Sequence, residues 1–159
     1  MERYPFDRPR VGHAVLIGNV EFPGGRRLPG SRRNVEALSA SLERLGFIVH
    51  PYPDCTAAKI EEVIVEWSGY DHSDCNCFLF YFSGHGGRDV VCGTDGETVM
   101  RDEIEDAFKP SFRWCRSLKD RPKVCALAVG VSERVSNSLS FCLAVVLLRS
   151  VSRFRARPW

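Results

Sequence analysis

The chain predicts an α/β fold, a mainly parallel sheet covered by helices on both faces. Two observations carry this. From residue 11 to residue 125, short apolar runs alternate with segments of helical periodicity. The strongest apolar run, Cys77–Phe82 (CFLFYF), passes directly into the glycine-rich stretch Ser83-Gly-His-Gly-Gly87. In sheets of this kind functional groups gather at the carboxyl ends of the strands, which is where His85 stands.

The elements follow in order. His13–Gly18 (HAVLIG) is a short apolar run closed by Gly-Asn and suits a buried strand. Glu21–Gly30, rich in glycine, proline and arginine, reads as an exposed loop. Ser31 is a candidate helix cap, with Val35, Leu38, Leu42 and Leu45 recurring at spacings of three and four until Gly46 ends the helix. Phe47–Pro51 is a second strand, and Asp54-Cys-Thr56 offers a cap for a helix with Ile60, Val63, Ile64 and Trp67 on its apolar face. After Cys77–Phe82 come a short helix at Asp102–Phe108, a linker at Pro110–Arg121 and an apolar run at Val124–Val131.

Composition narrows the function classes. With 159 residues, 44% apolar and 26% charged, the chain fits one globular domain. A net charge of +2 gives no reason to expect nucleic acid or a charged membrane as partner. The longest apolar stretch, Phe141–Leu148, is far short of the roughly 20 residues a membrane helix needs. Met1–Arg10 has no apolar run of the secretory type, so a cytoplasmic location is expected. The seven cysteines are odd in number, and Cys77, Cys125 and Cys142 lie in apolar runs, which suits reduced, buried thiols. Cys75-x-Cys77 near His72 lacks zinc spacing, and residues one apart on a strand point to opposite faces, so neither metal nor cofactor is expected.

His13, His50 and His72 read as structural. His85 differs, because Gly84 precedes it and Gly86-Gly87 follow it. An imidazole beside accessible backbone N–H groups supplies what acyl transfer needs, a base for the nucleophile and donors for an oxyanion. On these features alone a catalytic histidine and a glycine-rich turn remain equal alternatives.

Gly12–Phe22 (GHAVLIGNVEF), Leu45–Val49, Asp71-His-Ser-Asp74, Cys77-Phe-Leu79, Ser83-Gly-His-Gly86, Gly93-Thr-Asp-Gly96, Ser117-Leu118 and Pro122-Lys123 resemble, in order and spacing, the large subunit of the caspases. The resemblance covers about residues 4–123 and implies a three-layer α/β/α sandwich. It divides the chain into a short N-terminal segment without a prodomain (1–10), a large-subunit domain (11–123) and an atypical tail (124–159). It further implies an aspartate-directed cysteine endopeptidase of apoptosis, acting on proteins cleaved after Asp and pairing with other caspase chains. His85 would be base and acid of a Cys–His dyad, with the N–H of Gly86 forming half of the oxyanion hole. An arginine two residues before Gly-Ser would grip the substrate aspartate. That position is Leu28, and Arg27 serves only if the loop shifts by one residue.

The pattern breaks after Lys123. Caspases follow Pro-Lys with a strand ending in Gln-Ala-Cys-Arg-Gly, and the count from Pro122 brings its nucleophilic cysteine to Gly130. Cys125 lies five residues too early, about 16 Å along a strand. Residues 124–148 carry only Glu133 and Arg134 as charges, Leu139–Leu148 shows no clear amphipathic period, and no small subunit follows. The sheet is therefore expected to be incomplete and to end on an unpaired strand. Three readings stay open: a large-subunit domain of a protease made inactive by truncation, a non-catalytic regulator or decoy of an active caspase, and a mis-spliced, non-functional product.

Overall fold

The computed structural model describes residues 4–109, 115–131 and 140–148. In chain order it holds β1 (Arg10–Gly18), a small hairpin of β2 (Glu21–Phe22) and β3 (Arg26–Arg27), α1 (Pro29–Arg44), β4 (Phe47–Pro53), α2 (Ala57–Gly69) and β5 (Cys75–His85). A second hairpin of β6 (Val90–Cys92) and β7 (Thr98–Met100) leads into α3 (Arg101–Ala107). A 3-10 turn at Arg116–Leu118 precedes β8 (Lys123–Val131), and β9 (Ser140–Leu148) follows.

The main sheet has the order β4-β1-β5-β8-β9. The first four strands are parallel and β9 runs antiparallel to β8. Side-chain alternation builds the other two layers. Ala14, Leu16, Tyr81 and Ala128 pack with Leu42, Val35 and Leu38 of α1 on one face. Val15, Ile17, Phe78, Phe80, Phe82, Cys125, Leu127 and Val129 pack on the other face with Ile60, Val63, Ile64 and Trp67 of α2 and Ile104 of α3. Successive residues of β1, β5 and β8 thus go to opposite cores, which is why these strands read as unbroken apolar runs. This is the three-layer α/β/α sandwich. No helix among the described residues is long and apolar enough to cross a membrane.

Several elements differ from their sequence reading. α1 starts two residues before Ser31, with Pro29 in its first turn. Proline's fixed φ suits that position and its missing N–H costs nothing there. The Ser31 hydroxyl is buried inside the helix and accepts a hydrogen bond from Ser83 Oγ at 3.1 Å. Glu21–Gly30 is an ordered hairpin leading into α1 rather than a plain loop. Thr56 is the cap expected of its segment, its hydroxyl accepting from Lys59 N–H at 3.2 Å.

The tail also differs. β8 begins at Lys123 and lies between β5 and β9, so the residues on both sides of the Lys123 boundary share one sheet. The loss of charge after Lys123 is what burial on two faces requires of such a strand. β9 covers the edge of β8 that the sequence reading left unpaired. The rest of the expected tail, residues 132–139 and 149–159, lies outside the described residues.

At the amino ends of the strands an arginine and a lysine tie the layers together. Arg8 donates to the carbonyls of His72, Cys75 and Ser117 at 2.9–3.1 Å. Lys123, only 1% exposed, donates to the carbonyls of Leu118 and Arg121 at 2.8 and 3.0 Å. Desolvation pushes its pKa down.

The three structural histidines also meet here. His13 Nδ1 lies 3.0 Å from His50 Nε2, and the His13 ring packs near His72, Trp67 and Tyr70. His72 Nε2 faces the Trp67 carbonyl at 2.9 Å, so it must carry the proton, and the buried Nδ1 has no partner. Desolvation lowers all three pKa values, that of His13 to about 4 with help from His50 and His72.

These contacts predict two responses. Between pH 6.5 and about 4 the unfolded chain binds protons at His13 that the folded chain refuses. Stability is therefore full above pH 6.5 and falls as the pH drops through that window, and His13→Phe flattens the fall in urea midpoints measured from pH 7 to pH 4. At the carboxyl ends, Asn19 Nδ2 donates to the carbonyls of Cys55 and Cys92, while its Oδ1 accepts from Cys55 N–H. Asn19→Ala strands these buried groups and should cost about 2–3 kcal/mol in chemical denaturation.

Candidate functional site

β5 carries His85 to the carboxyl edge of the sheet as its last residue. β5 is the middle strand, paired with β1 on one side and β8 on the other, so the backbone beneath the imidazole is held from both sides. The ring is half-buried, and Phe22 of the first hairpin packs edge-on against it with centroids 4.5 Å apart.

Gly86 follows in a tight approach to the second hairpin. It bridges Val91, and the Gly87 N–H donates to Val90 O at 2.9 Å. A Cβ on Gly86 would stand 2.4 Å from that same oxygen and 2.8 Å from a Val129 methyl. No side chain fits there, so glycine is dictated by the close approach of two backbones. Gly93 is dictated in the same way, since a Cβ on it would meet Ala57 N at 2.1 Å. Asp95, two residues on, accepts from Ala57 N–H and caps the amino end of α2. Gly93-Thr-Asp-Gly96 is therefore a brace between the second hairpin and α2.

β8 pairs with β5 so that His85 stands directly opposite Gly130. A Cβ built on Gly130 would lie 3.9 Å from His85 Nδ1, 3.9 Å from Gly84 O and 3.8 Å from Leu28 Cδ2. All three are ordinary contact distances, so position 130 accepts a side chain, and that side chain would touch the imidazole. The count from Pro122 leads to the residue that faces His85.

The expected cation is elsewhere. Arg27 lies on β3 opposite Glu21, with its Nε donating to both carboxylate oxygens at 2.9 and 3.1 Å and Nη2 2.6 Å away. Both side chains are exposed. Leu28, the next residue, is buried and is the one whose side chain reaches the space at Gly130. Leu28, which the resemblance places at the position of the substrate-gripping arginine, and Phe22, which sequence reasoning did not single out as a site residue, line the surroundings of His85. Phe22 gave no signal beyond being aromatic.

Among the described residues, Cys75, Cys77, Cys92 and Cys125 offer no substitute nucleophile. Cys125 is buried on the α2 side, opposite Phe80 rather than His85, and burial pushes its pKa up to about 12. Cys77 and Cys75 are raised to about 11 and about 12 by desolvation, with the Asp74 carboxylate adding to the effect at Cys75. Cys92 is raised by desolvation too. A nucleophilic cysteine needs a depressed pKa, and each of these four is shifted the other way.

A sequence model of the Caspase domain family matches residues 11–132. The chain belongs to the caspase family. It is 32% identical to caspase-8 of Rattus norvegicus over 127 residues, which cover 74% of this chain and 26% of that protein. With caspase-8 of Mus musculus it shares 31% over 128 residues, again 74% of this chain and 26% of the relative. A Caenorhabditis elegans protein named "Putative inactive caspase B" is 28% identical over 120 residues, 71% of this chain and 45% of its own length. The chain thus spans about a quarter of the length of the two caspase-8 relatives. The family match runs through β8 to residue 132 and includes Gly130.

The geometry at Gly130 is testable without peptide substrate. Gly130→Cys places a thiol beside His85 Nδ1, to which it can pass its proton to form a thiolate–imidazolium pair. In this variant one cysteine should be alkylated by iodoacetamide at neutral pH at least about ten times faster than any native cysteine, read by peptide mapping. His85→Ala in the same background should return that rate to the native level.

Proposed function

We propose that this chain is a proteolytically silent caspase domain of the large-subunit type, which keeps the general base and lacks the group that the base would activate. The observation that carries the reading is the pairing of His85 with Gly130. Hydrolysis of a peptide through an acyl-enzyme needs a nucleophile within hydrogen-bond reach of the base, and a glycine offers none. The thiols described above are buried, shifted upward, or on other strands. Leu28 supports the same reading from the substrate side. A carboxylate entering beside Gly130 would meet a leucine side chain rather than a guanidinium fork, since Arg27 is already engaged by Glu21.

In this reading His85, Gly86 and Phe22 are inherited architecture. The imidazole remains because the strand that carries it is the core of the sheet. The protein then acts by binding, with other caspase chains as its partner class in the cytoplasm, and not by turnover. The Caenorhabditis elegans relative whose name calls it an inactive caspase favours this over a protease awaiting activation.

The test is hydrolysis of a fluorogenic peptide ending in aspartate by the purified chain, beside a His85→Ala control. The expected rates of the two are equal and indistinguishable from buffer. A rate above buffer that His85→Ala abolishes would mean that some native thiol reaches the imidazole, and would overturn the reading.

A further inference from the structure

We propose that a groove between α1 and the carboxyl ends of β1 and β4 binds a free α-amino acid with an apolar side chain. The inference is independent of the catalytic reading, because the groove lies at β1 and β4 while His85 stands on β5, beyond β1. The cavity measures about 240 Å³. Drug-sized ligands fill about 300–1,000 Å³, so the occupant is smaller, on the scale of a single amino acid.

The lining explains why an apolar body fits. Gly18 ends β1 and lets α1 lie close, since a Cβ there would stand 2.7 Å from a Val35 methyl. Val20, Val35, Pro51 and Pro53 then give the groove a mostly apolar surface. The two prolines carry no N–H, so the polar groups of a ligand must find partners among the side chains at the rim.

Those partners are present. Arg32 and Glu36 stand one helical turn apart on α1, and both line the groove. Opposite charges at this spacing commonly pair along a helix. Here neither side chain has a hydrogen bond or ion pair with the other or with any further described residue. Just beyond β4, Asp54 supplies a fixed carboxylate to the same groove. Its Oδ1 accepts from the N–H groups of Val20 and Glu21 at 2.8 and 3.0 Å. Its Oδ2 has no partner among the described residues.

One guanidinium and two carboxylates around an apolar floor match a zwitterion. Arg32 holds the α-carboxylate with its planar fork. Glu36 and Asp54 accept from the α-ammonium, whose three N–H donors serve both. The side chain lies against the valines and prolines. A peptide terminus carries only one of the two charges, and it leaves either Arg32 or the carboxylate pair unused. Charge complementarity therefore selects the free amino acid over a docked chain end.

The test is a titration of the purified full chain with L-leucine, followed by saturation-transfer NMR. Saturable binding is expected with a Kd of about 0.1–1 mM, the range open to so few contacting atoms. Three analogues should each bind at least about five times more weakly: glycine, which lacks the apolar body, N-acetyl-leucine, which lacks the ammonium, and leucinamide, which lacks the carboxylate. Arg32→Gln and Glu36→Gln alter exposed side chains outside the core, and each should weaken leucine by a similar factor. Arg32→Gln should leave leucinamide unaffected, and Glu36→Gln should leave N-acetyl-leucine unaffected, because each removes the partner of a charge that the analogue lacks. No saturation by about 10 mM leucine, an analogue that binds as tightly as leucine, or undiminished leucine binding in either variant would each overturn the proposal.

Discussion

The parallel pairing of β5 with β8 is the constraint on which the rest of the site depends. It places Phe78, Phe80 and Phe82 of one strand and Cys125, Leu127 and Val129 of the other in a single core, and it sets Gly130 opposite His85. A slip of one residue in this register would send each of those side chains to the opposite face. The buried aromatic residues therefore hold the register far more strongly than any contact made by the imidazole. Geometry at the carboxyl edge is a by-product of packing beneath it. That is why the imidazole of His85 keeps its place opposite position 130 whichever residue stands there.

Most of the residues that make this chain resemble its family have structural duties. Gly93 and Asp95 brace the second hairpin against α2. Asp71 accepts from Ser73 N–H in a local turn, and Asp74 pairs with Arg10 at 2.7 Å. The Ser117 hydroxyl accepts from His72 N–H, and Lys123 satisfies the carbonyls of the turn before β8. Arg121 donates to Asp7, Asn76 and the Pro5 carbonyl, drawing the amino-terminal segment across the foot of the sheet. The sheet thus has a heavily cross-linked amino end. Its carboxyl end has the short hairpins and close backbone approaches in which sites are built.

Much of this was legible in the sequence because it follows from period and punctuation. The runs at His13–Gly18 and Cys77–Phe82 suit buried strands, and Asp54-Cys-Thr56 offers the cap that Thr56 supplies. Gly130 was reached by counting from Pro122 against the motif that the resemblance implies, and the register of β5 with β8 then sets it opposite His85. What the sequence hid depends on contacts between distant segments. Ser31 looks like a cap until Pro29 and the Ser83 hydroxyl are seen beside it. Arg27 looks like a ligand-binding cation until its hairpin partner Glu21 is known. The charge-poor stretch after Lys123 looks foreign when read alone, yet a strand buried on two faces has the same composition.

β5 lies third of five strands, with a neighbour bonded to each of its edges and a core on each of its faces. In amide hydrogen exchange its N–H groups belong to the last cooperative unit to open, so their protection reports the global unfolding free energy. The short hairpins around it exchange through smaller local openings. His85 thus sits on the strand with most packing around it, while Phe22 and Arg27 sit on a two-stranded hairpin outside the main sheet.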